Sequence, residues 1–507
     1  MRGVIAVDSF PKAGWRVGWV AGKEARRRCD PVATANEISC LSGAAEPVTI
    51  DPMLIFTLPL LIAAAPVAAL PTPPAPAAPV AKPAPAVPTP RDVAQVPPPS
   101  ATRLKSDVTA MVGFGTRHTA STTTDPTRGI GAARNWAAKR FTEISATCSG
   151  CITVDRISRR FVGPRAPTGV VVEDVLGIQK GRDPNRVVIV GAHIDSRVTD
   201  VMNATSDAPG ANDNASGVAL VLEAARILSQ QRYDATIVYA VFSGEEQGLW
   251  GAELLADTAK ARGWQVSAML NNDIVGNTLG QGGVRAAGQV RVFAEGIRAS
   301  EDQVAQLSRR AEGGEDDGPS RALAKAIDGV AGTIRGGLDV MIDRRPDRFG
   351  RGGDHEPFLK LGYPAVRFSV AAENWDRQHQ DLRTENGVVY GDTIEGMDFP
   401  YLAKVTAINV ATIAGLAAAP AAPEDVSIAG ALSRDTTVKW TAVPGAVGYR
   451  VRWRRNDTQA WTNARDVTGT QTVLVQVPVD DSFVGVSALS ATGAESLTSF
   501  AGRERKR

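Results

Sequence analysis

The chain is short of the features that mark several large protein classes. Charge of one sign is missing: 56 Lys and Arg face 54 Asp and Glu, a net +2 over 507 residues. No electrostatic case therefore exists for nucleic acid or for an anionic membrane surface as partner. Cysteine is scarce. Of the four, Cys29 and Cys40 lie in a stretch unlike the rest, and Cys148-Ser-Gly-Cys151 lacks both the second pair of a zinc site and a thioredoxin-like setting. A short-loop disulfide is the plainer reading, and it belongs to an oxidising compartment. Histidine is equally rare, with four in the chain, so each can be weighed singly.

Long apolar runs are also wanting, with one exception. Residues 53–70, MLIFTLPLLIAAAPVAAL, end in small residues and resemble a signal-peptide core with cleavage near Ala69. Pro59 and Pro66 make the run marginal as a membrane span, so no stable span is expected after signal cleavage. Residues 1–52 show no clear period and read as a doubtful upstream extension, with Met53 as the start. Between Pro66 and Ser100 there are 13 prolines. Such a composition favours extended polyproline II and cannot bury a core, so residues 71–100 read as a spacer.

What is present from residue 101 is an ordinary globular pattern. Helical spacing at 107–112 and 125–141 precedes alternating elements: strands at 169–181 and 186–195, a helix at 214–231, a strand at 234–244, a helix at 249–262 and a strand at 266–276. A strand near Val290, a helix at 320–333, a strand at 362–371 and a closing helix at 398–419 follow. This alternation predicts an α/β domain over 101–419, with a mostly parallel central sheet and helices on both faces. Short strands at close intervals over 420–507, with Trp440, Tyr449 and Trp453 as core aromatics, predict an all-β sandwich.

The chemistry gathers at predicted strand ends and loops, where α/β sheets place their sites. Residues 191–214, GAHIDSRVTDVMNATSDAPGANDN, carry His193, Asp195 and Asp213. FSGEEQG carries Glu245 and Glu246, NNDIVG carries Asp273, and RQHQD carries His379. Imidazole and carboxylate together are zinc ligands. Two zinc ions about 3.5–4 Å apart need a bridging carboxylate and terminal ligands on each side. His193, Asp213, Glu246, Asp273 and His379 form such an inventory. Asp195 is placed to accept the second ring N–H of His193, and Glu245 to relay a proton. Each residue alone has a dull reading, as a solvated pair, a turn residue or a surface imidazole; the joint occurrence argues for a metal site. His118 is read as structural, and Arg351 and Arg367 as solvated or structural rather than as substrate contacts.

Residues 105–418 resemble the M28 co-catalytic zinc peptidases, the bacterial secreted aminopeptidases in particular. The matching segments are GAHIDS, GANDNASG, FSGEEQGLWGA, NNDIVGN, GGDHEPFLKLGYPAV and HQDLRTEN. The resemblance implies a zinc-exopeptidase fold and two Zn2+ per chain. Asp213 would bridge them, with His193 and Asp273 on one ion and Glu246 and His379 on the other. It also implies a metal-bridging water as nucleophile, Glu245 as general base, Asp195 as orienter, and a cis peptide between Asp213 and Asn214. Two departures stand out: Gln378 occupies a position where the family often has Tyr, and no Ser precedes Asp354-His355, which are expected as supports beside the site. The implied function is a secreted or periplasmic aminopeptidase acting on peptides or proteins. The alternatives are another M28-type exopeptidase (carboxypeptidase or dipeptidase), a glutaminyl cyclase-like single-zinc acyltransferase, or a non-catalytic binding module on the same fold. The C-terminal portion resembles a fibronectin type III module by pattern, and could bind cell wall, polymer or substrate.

Overall fold

The computed structural model describes residues 96–504. The upstream extension, the signal-like run and all but the end of the spacer lie outside the described residues. Helices α1 (Ala101–Val112) and α2 (Gly129–Thr147) lead into strands β1 (Ile152–Gly163), β2 (Ala166–Gln179) and β3 (Asp183–His193). Then come α3 (Ser216–Leu228), β4 (Ala235–Phe242), α4 (Glu245–Gly248), α5 (Trp250–Ala261) and β5 (Gln265–Asn272). The remainder is β6 (Gln289–Phe293), α6 (Gln303–Ala311), α7 (Pro319–Ala331), β7 (Asp339–Asp343), α8 (Glu356–Lys360), β8 (Ala365–Val370), β9 (Arg383–Glu385), β10 (Val388–Tyr390) and α9 (Phe399–Ala418).

Eight strands form one sheet in the order β1-β2-β4-β3-β5-β8-β6-β7. The central four, β4-β3-β5-β8, are parallel. Successive residues of these strands enter opposite cores, as a pleat requires. Val188 and Val190 of β3 join the core under α1, α3 and α9, while Val187 and Ile189 join the one under α5. Burial on both faces explains why these strands read as unbroken apolar runs. Toward the flanks β1 with β2, β2 with β4, and β6 with β8 are antiparallel, and the edge strand β7 is again parallel to β6. The sheet is thus parallel in its middle and mixed at its edges. The β1–β2 connection spans only two residues, and a link that short can join only an antiparallel pair.

Helix α9 is 20 residues long and apolar enough to cross a membrane, yet it lies in the core against α3 and α1. Asp398 caps it by accepting from the Tyr401 backbone N–H at 3.0 Å.

The C-terminal portion folds as two four-stranded sheets. One runs β15 (Gln471–Leu474), β12 (Thr436–Lys439), β11 (Ser427–Ala429), β18 (Gly502–Arg503); the other runs β14 (Asn463–Val467), β13 (Gly448–Arg455), β16 (Ser482–Leu489), β17 (Ser499–Phe500). Trp440 and Tyr449 meet edge-to-face at 5.2 Å inside the sandwich, whereas Trp453 is only half-buried. Fully buried Arg454 ties the sandwich to the peptide between α6 and α7, donating to Asp317 at 2.6 Å and to Asp316 at 3.3 Å. Cys148 and Cys151 are joined as a disulfide.

Candidate metal centre

Strand ends and the loops beyond them deliver the site. β3 ends on His193, β5 is followed by Asp273, and β4 leads through Ser243-Gly244 into α4, whose first residues are Glu245 and Glu246. Gly244 takes φ +77°, a left-handed turn that a side chain would resist, and this aims α4 back over the sheet. Asp213 sits in the turn Ala211–Ala215 before α3, and its peptide bond to Asn214 is cis. Asn214 fastens that turn to β5, donating to the Asn272 carbonyl at 2.8 Å.

Five residues expected as ligands converge. Asp213 presents one oxygen 3.3 Å from His193 Nε2 and the other 2.8 Å from His379 Nε2. Asp273 Oδ1 lies 3.6 Å from His193 Nε2, and Glu246 Oε1 lies 2.9 Å from His379 Nε2. Two three-residue groups result, each with ligand atoms within 4.8 Å of one another: His193, Glu245 and Asp273, and Asp213, Glu246 and His379. Glu245 Oε2 stands 4.0 Å from His193 Nε2, beside the ligands rather than remote from them.

Asp195 is fully buried, but it orients His193 differently from expectation. The ring Nδ1 is 3.0 Å from the Asp195 carbonyl oxygen and 3.6 Å from its carboxylate. The main chain is therefore the nearer acceptor. The carboxylate instead accepts the backbone N–H groups of Glu245 at 3.3 Å and Glu246 at 3.1 Å, and the Thr119 hydroxyl at 2.9 Å. It anchors the N-terminus of α4, where negative charge is favoured.

Several functional positions escaped the sequence reading. Arg197 donates from Nε to Glu246 Oε2 at 2.8 Å, and its Nη2 lies 2.6 Å from His379 Nδ1, so that it stands against both members of one half-site. Its place four residues after His193 was the available signal. Asp392 accepts from the backbone N–H of Asn212 at 2.9 Å and of Asp213 at 2.6 Å, and so holds the turn. Arg117, fully buried, donates to the carbonyls of Ile194, Pro209 and Gly210 and braces the loops that follow β3. Gln378, where the resemblance leads one to expect Tyr, donates to Asp213 Oδ2 at 3.2 Å.

The remaining candidates resolve plainly. Arg367 is buried and bonds Asp273 Oδ2 at 2.8 Å and Asp347 at 3.1 Å, a structural role. Arg351 pairs with Glu373 at 2.8 Å. His118 is buried, with Nε2 2.9 Å from the Val201 carbonyl, and it joins neither group. His355 lies 2.7 Å from the Pro346 carbonyl and is likewise outside both groups. Asp354 is fully buried, and neither carboxylate oxygen has a partner among the described residues.

Electrostatics follow from this crowding. Burial disfavours a charged His193, yet Glu245, Asp195, Asp213 and Asp273 outweigh it and hold the imidazole well above its usual range. His379 is pushed up to about 10: burial opposes its charge, and Glu246 and Asp213 override that. Asp213 is held well below the carboxylate range by the two imidazoles, against its burial. Burial raises Glu245 well above that range, helped by Glu246, Asp273 and Asp213 and opposed by His193. A 440 Å3 cavity opens beside Asp213 and Gln378, with Ile274, Leu279, Met397 and Phe399 on its walls.

Residues 174–393 match the family model described as peptidase family M28. A probable zinc metalloprotease of Leptosphaeria maculans is 43% identical over 407 residues, covering 78% of this chain and 93% of that protein. The chain belongs to peptidase family M28. A second relative, a probable zinc metalloprotease of Pyricularia oryzae, is 41% identical over 405 residues, covering 78% of this chain and 81% of its own. Both of these relatives are fungal. Solved structures are more distant. An aminopeptidase from Aneurinibacillus sp. strain AM-1 has a TM-score of 0.45 at 15% identity, covering 63% of this chain and 94% of its own. The Porphyromonas gingivalis glutaminyl cyclase has 0.43 at 18% identity, covering 62% and 98%. Neither likeness bears on the reaction.

The donor set fits the zinc for which these relatives are named. Glu246 Oε1 and Asp273 Oδ1 are buried with no hydrogen-bond partner among the described residues, and both face an imidazole. Buried carboxylate oxygens left so are costly unless a cation meets them.

Proposed function

We propose that this M28 metallopeptidase is a dinuclear zinc aminopeptidase that removes N-terminal residues from peptides. The observation that carries the reading is Asp213, whose two oxygens face the two imidazoles from opposite ends of one carboxylate. His193 and Asp273 would hold one ion, Glu246 and His379 the other, and Asp213 both. Zinc in such a setting supplies Lewis acidity toward a carbonyl and lowers the pKa of water toward neutrality.

The protein's own groups supply the rest. Glu245 is the general base: it takes the proton of the attacking water and returns it to the leaving amine. Glu245 Oε2 stands 4.0 Å from His193 Nε2, close enough to exchange a proton with a water held between the ligands. Asp195 fixes the N-terminus of α4 and thereby the position of Glu245. The surplus of carboxylates around His193 favours a substrate's free ammonium group. Ile274, Leu279, Met397 and Phe399 give the otherwise polar 440 Å3 cavity an apolar portion that suits the side chain of the departing residue.

A single-zinc acyl-transfer reading requires one ion; that each imidazole has two carboxylates beside it, Asp213 and Asp273 for His193 and Asp213 and Glu246 for His379, favours two. Export is part of the proposal: the apolar run at 53–70, the proline-rich spacer and the Cys148–Cys151 disulfide support a secreted or periplasmic protein. We read the C-terminal sandwich as fibronectin type III-like. A panel of aminoacyl chromogenic substrates, each beside its N-acetylated form, tests the activity. Chelator-sensitive cleavage of the free-amine substrates is expected; equal cleavage of the blocked ones would refute an aminopeptidase.

A further inference from the structure

Away from the metal centre, a 700 Å3 cavity lies between the chain following β6, the segment entering α7 and helix α8. Its size is that of a small-molecule site, and it contains none of the residues assigned above to the metal centre.

Arg321 lines this cavity. It is 7% exposed, and its one hydrogen bond runs from Nε to the Ala294 carbonyl at 2.8 Å. Among the described residues no carboxylate stands within the 4.0 Å of an ion pair. The two Nη atoms of Arg321 make no hydrogen bond among the described residues, and burial lowers its pKa although Asp316, Asp317 and Asp343 lie near enough to oppose that. Gly296 keeps this guanidinium open to the cavity. A Cβ there would lie 3.4 Å from Arg321 Nη2 and 2.8 Å from the Glu315 carbonyl oxygen.

Carboxyls of the same cavity are also incompletely used. Glu295 is 6% exposed and accepts from the Ala299 backbone N–H at 3.0 Å, and burial pushes its carboxyl up to about 7. Glu315 Oε2 is buried with no partner among the described residues. The other charges balance: Arg344 and Asp316 pair at 3.1 Å, and Lys360 and Glu356 add one of each sign. A simple anion would satisfy Arg321 and leave Glu315 unmet; a simple cation would do the reverse. Ile297 and Leu359 add apolar wall.

We propose that this cavity is a second ligand site, built for a small zwitterion of the α-amino-acid type with an aliphatic side chain. The ligand's carboxylate meets Arg321, its ammonium meets Glu295 and Glu315, and its side chain lies against Ile297 and Leu359. The site does not depend on the metallopeptidase reading.

Calorimetric titration of the full chain with L-leucine tests it, alongside 4-methylpentanoate and isoamylamine, which each carry one of leucine's two charges. Saturable leucine binding is expected. Each single-charge analogue should bind weaker by roughly tenfold or more, the worth of a charge-assisted hydrogen bond. Arg321→Met should cost at least that much, and Glu315→Gln, which keeps shape and removes charge, should weaken binding in the same direction. If Arg321→Met does not fold, Glu315→Gln decides. Leucine seated at the metal centre would leave both variants' titrations unchanged. That result overturns the proposal, as does absence of leucine binding, or analogues that bind as well as leucine.

Discussion

The two halves of the metal centre are built in different ways. His193 is 1% exposed at the end of a central strand, with its second nitrogen toward the Asp195 carbonyl and its partner Asp273 held by buried Arg367. His379 is 24% exposed, adopts φ +55° on the loop before β9, and has a guanidinium rather than a carbonyl against its second nitrogen. The first half inherits its rigidity from the sheet. The second depends on Arg197, which reaches across from the loop after β3 to hold Glu246 and His379 together. Asp213 belongs to both, and Asp392 fixes it through two backbone amides.

The largest effect is expected where the halves meet. Asp213→Ala removes the shared carboxylate and should empty both positions and abolish turnover, read by metal analysis and by assay; retention of two ions would break the idea of a shared ligand. Glu245→Gln should keep both ions while turnover falls by roughly 10²–10⁴-fold, the usual worth of a general base. Turnover close to wild type would remove Glu245 from that role.

Arg197→Gln separates the halves. Affinity for one ion should fall by about 10–100-fold, as is common when a ligand's outer partner is lost, with the other ion unaffected. Equal loss of both in equilibrium dialysis would mean that the halves are not independent.

The smallest effect concerns protons. His379 is raised from about 6.5 toward 10 in the metal-free fold. A raised folded-state pKa contributes stability that is complete below the unfolded value and lost as pH climbs through the folded one. The urea midpoint of chelated protein should therefore fall between about pH 6.5 and 10. Zinc displaces those protons, so the loaded protein should show a smaller fall over this range, and should release metal on acidification. A flat profile for the chelated protein would contradict the proposed environment of His379.

Legibility followed the same division. The parallel strands β3, β4 and β5 were readable because burial on both faces makes them apolar throughout, and their ends marked His193, Glu245, Glu246 and Asp273. Strand β1 was not, since ITVDRISRRFVG is exposed along much of one face and carries charge there. Neither β7 nor the β9–β10 hairpin was read; both are short, and the hairpin is mostly exposed. Within the site, ligand types at strand ends were visible in the chain. Their supports were not: Arg117, Arg197 and Asp392 act over separations of 49 to 182 residues. Nothing local distinguishes such an arginine from one at the surface. The Asp195 carboxylate lies beside His193 as the sequence suggests, 3.6 Å from Nδ1, while the nearer acceptor at 3.0 Å is a main-chain carbonyl, which carries no signature in a sequence.

Metal content of the purified protein tests the central claim most directly. Elemental analysis before and after chelation, with activity followed in parallel, should give two zinc ions per chain, loss of hydrolysis when they are stripped, and recovery on return of zinc. A protein that holds no more than one ion at saturating zinc, or that hydrolyses peptides equally well without any, would contradict the account.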